Sequence, residues 1–132
     1  MKLANAKILL VNAEAPVLHS HKHVLLNQGY SVETADDGLE ALKKVKSFGP
    51  ELVLLDVMTS KMDGIECCRQ IKSSKNAKRT KVVMISPSTD YAEISRAFAA
   101  GCDDYLVKPM DLSELLLTVK DLLKFTHLRP AG

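Results

Sequence analysis

Glu51-Leu-Val-Leu-Leu-Asp56 is an unbroken aliphatic run, entered from Gly49-Pro50 and closed by a carboxylate before the chain turns into Val57-Met-Thr-Ser-Lys-Met-Asp-Gly64. A run of this length reads as a strand buried on both faces, as in the middle of a parallel sheet. Asp56 then sits where that strand emerges. Ligands gather outside the carboxyl ends of strands in open α/β sheets, which favours a site. Asp is also a favoured turn residue, which leaves a simple turn cap open.

The same pattern recurs along the chain. Lys7-Ile-Leu-Leu-Val11 stops at Asn12-Ala-Glu14, Lys81-Val-Val-Met-Ile-Ser86 ends in a hydroxyl, and Tyr105-Leu-Val107 ends at Lys108-Pro109. Tyr30-Ser-Val-Glu-Thr34 alternates only weakly and reads as an edge strand. Helical spacing fills the intervals. Pro16 suits the first turn of a helix that runs to about Gln28 and stops at Gly29, with Val17, His21, Val24, Leu25 and Gln28 on one face. Asp36-Asp-Gly38 opens a second helix, with Leu39, Leu42, Val45 and Lys46 as its inward set. A third starts near Gly64 and carries Ile65, Cys68 and Ile71 inward; a fourth, from about Asp90 to Ala100, carries Ile94, Ala97 and Phe98. Asp111 or Ser113 caps the last, which bears Leu112, Leu115, Leu116, Val119, Leu122 and Leu123.

Five strands alternating with five helices predict an α/β fold, a (βα)5 doubly wound parallel sheet covered on both faces. Periodicity alone does not give the strand order. Residues 1–126 read as one domain, and His127 to Gly132, which lose the periodicity, as a tail or linker stump.

Composition narrows the function classes. The chain has 132 residues, 46% hydrophobic and 26% charged, which is ordinary for a globular domain. Its 18 basic and 16 acidic residues leave a net charge of +2, too near balance to argue for direct nucleic-acid binding. No apolar run approaches membrane-spanning length and no secretory leader pattern precedes the first strand, so the expectation is a cytoplasmic protein with no membrane partner. Cys67, Cys68 and Cys102 lack metal-type spacing and read as reduced, apolar thiols, with only one of the adjacent pair able to face inward.

In a parallel sheet the strand ends share one edge, which brings Asn12, Glu14, Asp56, Ser86 and Lys108 together. A carboxylate, a hydroxyl and an ammonium in one crevice make a phosphoryl site, with Asp56 as nucleophile and Ser86 and Lys108 holding phosphoryl oxygens. One such strand end is weak evidence; four are strong.

With these residues in hand, the chain resembles the receiver domain of two-component response regulators from Lys7 to about Lys124. The motifs are Ile8-Leu-Leu-Val11, Asp56 followed by Met62-Asp-Gly64, Ser86, Gly101-Cys-Asp-Asp-Tyr-Leu-Val-Lys-Pro109 and the closing Leu-rich helix. The resemblance implies a flavodoxin-like strand order 2-1-3-4-5. It implies a regulatory phospho-acceptor rather than an enzyme, with Asp56 taking a phosphoryl group from a phosphohistidine on a sensor histidine kinase or histidine phosphotransfer protein. It further implies that Lys108 pairs with that group, that Ser86 hydrogen-bonds it, that Tyr105 is the switch aromatic following Ser86, and that the Lys108-Pro109 peptide is cis. A downstream effector or fused output domain, and a homodimer through the fourth helix, fifth strand and fifth helix, complete the implied partners.

The sequence departs from the family pattern at one place above all. Two acids usually follow the first strand and bind magnesium; here Asn12 and Ala13 stand there. What remains for Mg2+ is Asp56, the backbone carbonyl of Met58, Asn12 as a weak neutral ligand, and Glu14 as a rescue, although Glu14 could equally sit in solvent at a helix N-terminus. Magnesium binding is therefore expected to be weak or absent, leaving Lys108 to neutralise Asp56 in a resting ion pair. Thr59 and Ser60 replace the usual Met-Pro, and Pro87 removes a backbone N–H next to Ser86. These changes keep a second function open, a pseudo-receiver acting as a phosphorylation-independent interaction module. A flavin or nucleotide binder would need a Gly-rich phosphate loop after the first strand, which is missing.

Two clusters attract attention outside the site. Lys72 to Lys81 is basic without an acid, and reads as a solvated loop or as a docking patch for an acidic partner. His19 and His23 lie one helical turn apart, yet a surface helix with unpaired histidines accounts for them better than a metal.

Overall fold

The computed structural model describes residues 6–57, 62–77 and 79–128. Strands β1 (Lys7–Val11), β2 (Ser31–Ala35), β3 (Leu52–Asp56), β4 (Lys81–Ser86) and β5 (Asp104–Val107) alternate with helices α1 (Ala15–Asn27), α2 (Gly38–Phe48), α3 (Gly64–Ser73), α4 (Tyr91–Ala99) and α5 (Leu112–Leu128). The sheet is parallel throughout, in the order β2-β1-β3-β4-β5. The three longest aliphatic runs, β1, β3 and β4, occupy the middle, while the weakly alternating β2 lies at one edge and the short, half-buried β5 at the other, because only central strands must be apolar on both faces.

Each central strand feeds two cores by alternation. Leu9, Val11, Val53, Leu55, Val82 and Met84 pack on one side of the sheet with residues of α2, α3 and α4. Ile8, Leu10, Leu52, Leu54, Val83 and Ile85 pack on the other with Leu25 of α1 and Leu115, Val119 and Leu123 of α5. Removing each such side chain from water contributes about 1.5–3 kcal/mol, so a one-residue slip of any central strand would scramble both cores.

Helix starts are fixed locally. Asp37 accepts from the Glu40 N–H at 2.8 Å, Asp63 from Ile65 at 2.9 Å and Asp90 from Ala92 at 3.2 Å. Gly49, at φ 64°, closes α2 in the left-handed conformation that glycine adopts without strain.

Several inward assignments differ from the sequence reading. On α1, Gln28 is exposed and Leu18 packs on the core instead. On α2, Leu39 and Lys46 face solvent while Ala41 is buried, and on α4 Phe98 is exposed. Leu112 at the start of α5 is also exposed. On α2, α4 and α5 the exposed apolar residues Leu39, Phe98 and Leu112 lie where the helix borders solvent rather than sheet. Cys67 and Cys68 are both buried, against the expectation of one: α3 is flanked on both sides, and the Cys67 thiol points to the Gly38 carbonyl, the Cys68 thiol to that of Ala100. Part of the basic run is internally neutralised. Lys72 lies 2.8 Å from Asp103 and donates to the Thr80 carbonyl at 2.7 Å, and Lys81 lies 3.9 Å from Asp103. An acid distant in sequence serves the run, which weakens the docking-patch reading.

Two outcomes test this packing. A Cβ at Gly64 would lie 2.6 Å from the Val57 Cα and 2.9 Å from the Asp56 carbonyl oxygen, backbone that cannot yield, so Gly64→Ala should destabilise by about 1–3 kcal/mol in urea unfolding at unchanged m. Burial pushes the Cys67 and Cys102 thiols up to about 12 and Cys68 to about 11, so a thiol reagent at pH 8 should label none of the three in the native protein and all three in denaturant.

Candidate functional site at the carboxyl edge of the sheet

Strand register sets the positions of the polar residues. Val11 pairs with Leu55, Asp56 with Ile85, and Ser86 with Val107, so Asn12, Asp56, Ser86 and Lys108 follow one another along the same edge. Alternation then sorts them by side. Asn12 continues the parity of Ile8 and Leu10, Asp56 that of Leu52 and Leu54, and Lys108 that of Leu106, all on the α1/α5 face. Ser86 continues the parity of Val82 and Met84 on the opposite face, where Tyr105 also packs. The edge therefore carries two polar clusters.

The first is built on Asp56, which is only 4% exposed. Lys108 Nζ donates to Asp56 Oδ2 at 2.5 Å, and Asn12 Nδ2 donates to the same oxygen at 3.0 Å. The side-chain Oδ1 of Asn12 accepts the Glu14 N–H at 2.8 Å, tying the start of α1 to the site. A buried carboxylate without such donors would carry its full desolvation penalty; here an ammonium and an amide meet it. The peptide from Lys108 to Pro109 is cis. Beside it, a cavity of ≈ 420 Å³ is lined by Glu14, Val17, His21, Pro87, Lys108, Pro109 and Met110. Burial, and then the Lys108 charge, hold the His21 imidazole below its usual value.

The second cluster is built on Ser86. Its hydroxyl donates to Glu93 Oε2 at 2.8 Å and accepts the Ser88 N–H at 3.1 Å. The Tyr105 hydroxyl lies 2.9 Å from the same Glu93 oxygen and 3.1 Å from the Ser88 carbonyl. Tyr105 is held above the usual phenol value, first by burial and, with the Ser86 contact opposing, by the Glu93 carboxylate. Since Pro87 has no N–H, Ser88 supplies the first backbone donor after the strand. A cavity of ≈ 500 Å³ opens beside this cluster, lined by Val57, Asp63, Ser86, Ser88, Glu93 and Arg96 among others.

Asp56 and Lys108 thus meet as the sequence suggests, with Asn12 as a third member. Ser86 is engaged with Glu93, a residue the sequence reading passed over. Its spacing from Asp90 matches a helix capping box and hides it, for Ser88 Oγ takes the Asp90 N–H at 3.0 Å and the Glu93 side chain turns elsewhere. For a magnesium ion the donor set is a poor match. The Asn12 oxygen is directed at the Glu14 N–H, Ala13 offers no ligand, and Asp56 faces two N–H donors. Glu14 is exposed at the rim, and Met58, with Thr59 and Ser60, lies outside the described residues. Among the described residues no group of three or more His, Cys, Asp or Glu is placed to hold a metal ion.

Comparison with known proteins agrees with this fold. Residues 8–120 match the family model of the response regulator receiver domain. The chain is 37% identical over 124 residues to the response regulator MprA of Mycobacterium ulcerans, covering 94% of this chain and 53% of that protein. It therefore spans about half the length of the curated relatives it matches. The chemotaxis response regulator CheY4 of Vibrio cholerae superposes with a TM-score of 0.84 at 31% identity, over 89% of this chain and 98% of that one. A CheY-like receiver domain protein from Methanospirillum hungatei gives 0.88 at 27% identity, over 94% and 98%.

The ion pair has a measurable consequence. Lys108→Met should lower unfolding free energy by about 1–2 kcal/mol, allowing for the partly exposed amine, and by less in an Asp56→Asn background. Equal losses in the two backgrounds would show that the pair is not coupled.

Proposed function

Because this chain belongs to the response regulator receiver family of two-component signalling, we propose that it is a phospho-accepting receiver whose acceptor is Asp56 and whose site is adapted to work with little or no magnesium. The observation that carries this reading is the buried carboxylate held against an ammonium at the carboxyl edge of the sheet. In the reaction an Asp56 oxygen attacks the phosphorus of a donor phosphohistidine. The O–P bond forms as the N–P bond breaks, and its electron pair returns to the imidazole, which takes a proton from water. Such transfer depends on positioning and charge neutralisation more than on covalent help from the protein. Lys108 supplies the positive charge, Asn12 an N–H donor, and Ser86 a hydroxyl for a phosphoryl oxygen.

In relatives of this kind a bound Mg2+ supplies further charge neutralisation. Here the acid pair is replaced by Asn12 and Ala13, and we infer weak or absent binding, with Asp56 the main ligand and the Met58 carbonyl, Asn12 and Glu14 as minor ones. The donor partner is a sensor histidine kinase or a histidine phosphotransfer protein, in the cytoplasm. The readout goes to an effector or to an output domain in a longer chain, or to a second copy across α4, β5 and α5, elements on which Tyr91, Phe98 and Leu117 are exposed. No helix among the described residues is long and apolar enough to cross a membrane.

One observation favours a second reading. The Asn12 amide occupies Asp56 Oδ2 as a fixed donor, which would suit a pseudo-receiver that never accepts a phosphoryl group and serves as an interaction module.

Incubation with acetyl phosphate, followed by intact mass, separates the two. The acceptor reading predicts slow addition of one phosphoryl group, nearly insensitive to magnesium and lost in Asp56→Asn. It also predicts that the Asn12→Asp, Ala13→Asp double variant labels faster and only with magnesium. No addition to the wild-type chain under any condition would leave the pseudo-receiver.

A further inference from the structure

The Ser86 hydroxyl has a single proton, and Glu93 takes it. A phosphoryl oxygen on Asp56 would need the same proton. We propose that Glu93 is a built-in competing acceptor: its carboxylate holds Ser86 in the resting protein, and Ser86 reaches the phosphorylated site only by leaving α4. The inference rests on the acceptor reading of Asp56 and adds the residue that opposes it.

Three features of the geometry carry this assignment. Ser86 lies on the α2–α4 side of the sheet by strand parity, whereas Asp56 and Lys108 lie on the α1/α5 side, so one hydroxyl cannot serve Glu93 and the acceptor crevice equally well. Glu93 Oε2 is shared by the Ser86 and Tyr105 hydroxyls at 2.8 and 2.9 Å, so losing Ser86 also changes what Tyr105 meets. The usual local use of a glutamate three residues after a helix cap is already taken over by Ser88, which leaves the Glu93 side chain committed to this contact. Glu93 is accordingly a positioning residue. It touches no reacting atom and acts through Ser86.

The contact also links the site to the exposed surface of α4. Glu93 sits in the first turn of that helix, two residues after the exposed Tyr91. Exchange of a carboxylate for a phosphoryl oxygen at Ser86 removes one of the two hydroxyls that hold this turn against β4 and β5. Among the described residues the Glu93 carboxylate then keeps the Tyr105 hydroxyl as its partner.

The test uses the full chain with Glu93→Gln, Glu93→Ala, and Ser95→Ala as an exposed control on the same helix. In the unmodified protein, ring NMR of Tyr105 should show a phenol that titrates lower in Glu93→Gln than in wild type, with Ser95→Ala unchanged. Unaltered Tyr105 behaviour in Glu93→Gln would overturn the latch whatever Asp56 does. With acetyl phosphate, both Glu93 variants should label faster than wild type, on the order of threefold to tenfold, the size of a charge-assisted hydrogen bond partly recovered elsewhere. Placed on Ser86→Ala, Glu93→Ala should give no acceleration. Equal labelling rates in wild type and Glu93→Ala would overturn the competition. Absence of label in every protein would defeat the acceptor reading and the competition with it, while the Tyr105 titration separately reports whether the resting contact exists.

Discussion

The structure turns on a buried carboxylate that two N–H donors make tolerable. Asp56 ends β3, which is buried at every position, and its oxygen would carry several kcal/mol of desolvation penalty if left alone there. Lys108 arrives from the end of β5 and Asn12 from the end of β1, on either side of the sheet's central strand. Placing those two groups within hydrogen-bonding distance requires the parallel register, the strand order and the turn at Lys108-Pro109 together. The fold and the site are one constraint seen at two scales.

Strand parity gives that constraint its second half. Residues one position apart at the sheet edge face opposite cores, which separates Asp56, Lys108 and Asn12 from Ser86, Tyr105 and Glu93. The first group is an ion pair with an amide donor beside it. The second is a chain of hydroxyls around a carboxylate, attached to a helix that presents Tyr91 to solvent at 82% exposure. In the function we propose, a phosphoryl group on Asp56 would offer oxygens to both groups. In that function, communication from Asp56 to the surface needs no long pathway, only a change of hydrogen-bond partner at Ser86.

Much of this was legible in the sequence, and the exceptions have physical causes. Four aliphatic runs ending in polar residues announce the shared edge, and the three longest of them, β1, β3 and β4, are the central strands, because burial on both faces leaves no other composition available. The weak alternation of residues 30–34 announced an edge strand for the same reason. Helix faces were read less well: Leu39 and Phe98 are apolar yet exposed, since helical spacing marks a stripe but not how much of it the sheet covers. Cys67 was misread because a helix flanked by two others buries residues on adjacent positions. Asp103 neutralises Lys72 and Lys81 across two strand starts, and local charge counting cannot find it. Glu93 was hidden by its own ordinariness, a helix-start glutamate whose long-range partners no local pattern reveals.

Asn12 and Ala13 follow β1, and the Asn12 amide and the Lys108 ammonium meet Asp56 as hydrogen-bond donors; the function we propose has these donors stand where a cation would otherwise be needed. The direct test is a magnesium titration of the unmodified protein, followed through the backbone amide signals of Asn12, Asp56 and Lys108. The account predicts no saturable, site-localised shift through the millimolar range. Saturation at micromolar magnesium, centred on those residues and abolished in Asp56→Asn, would contradict it.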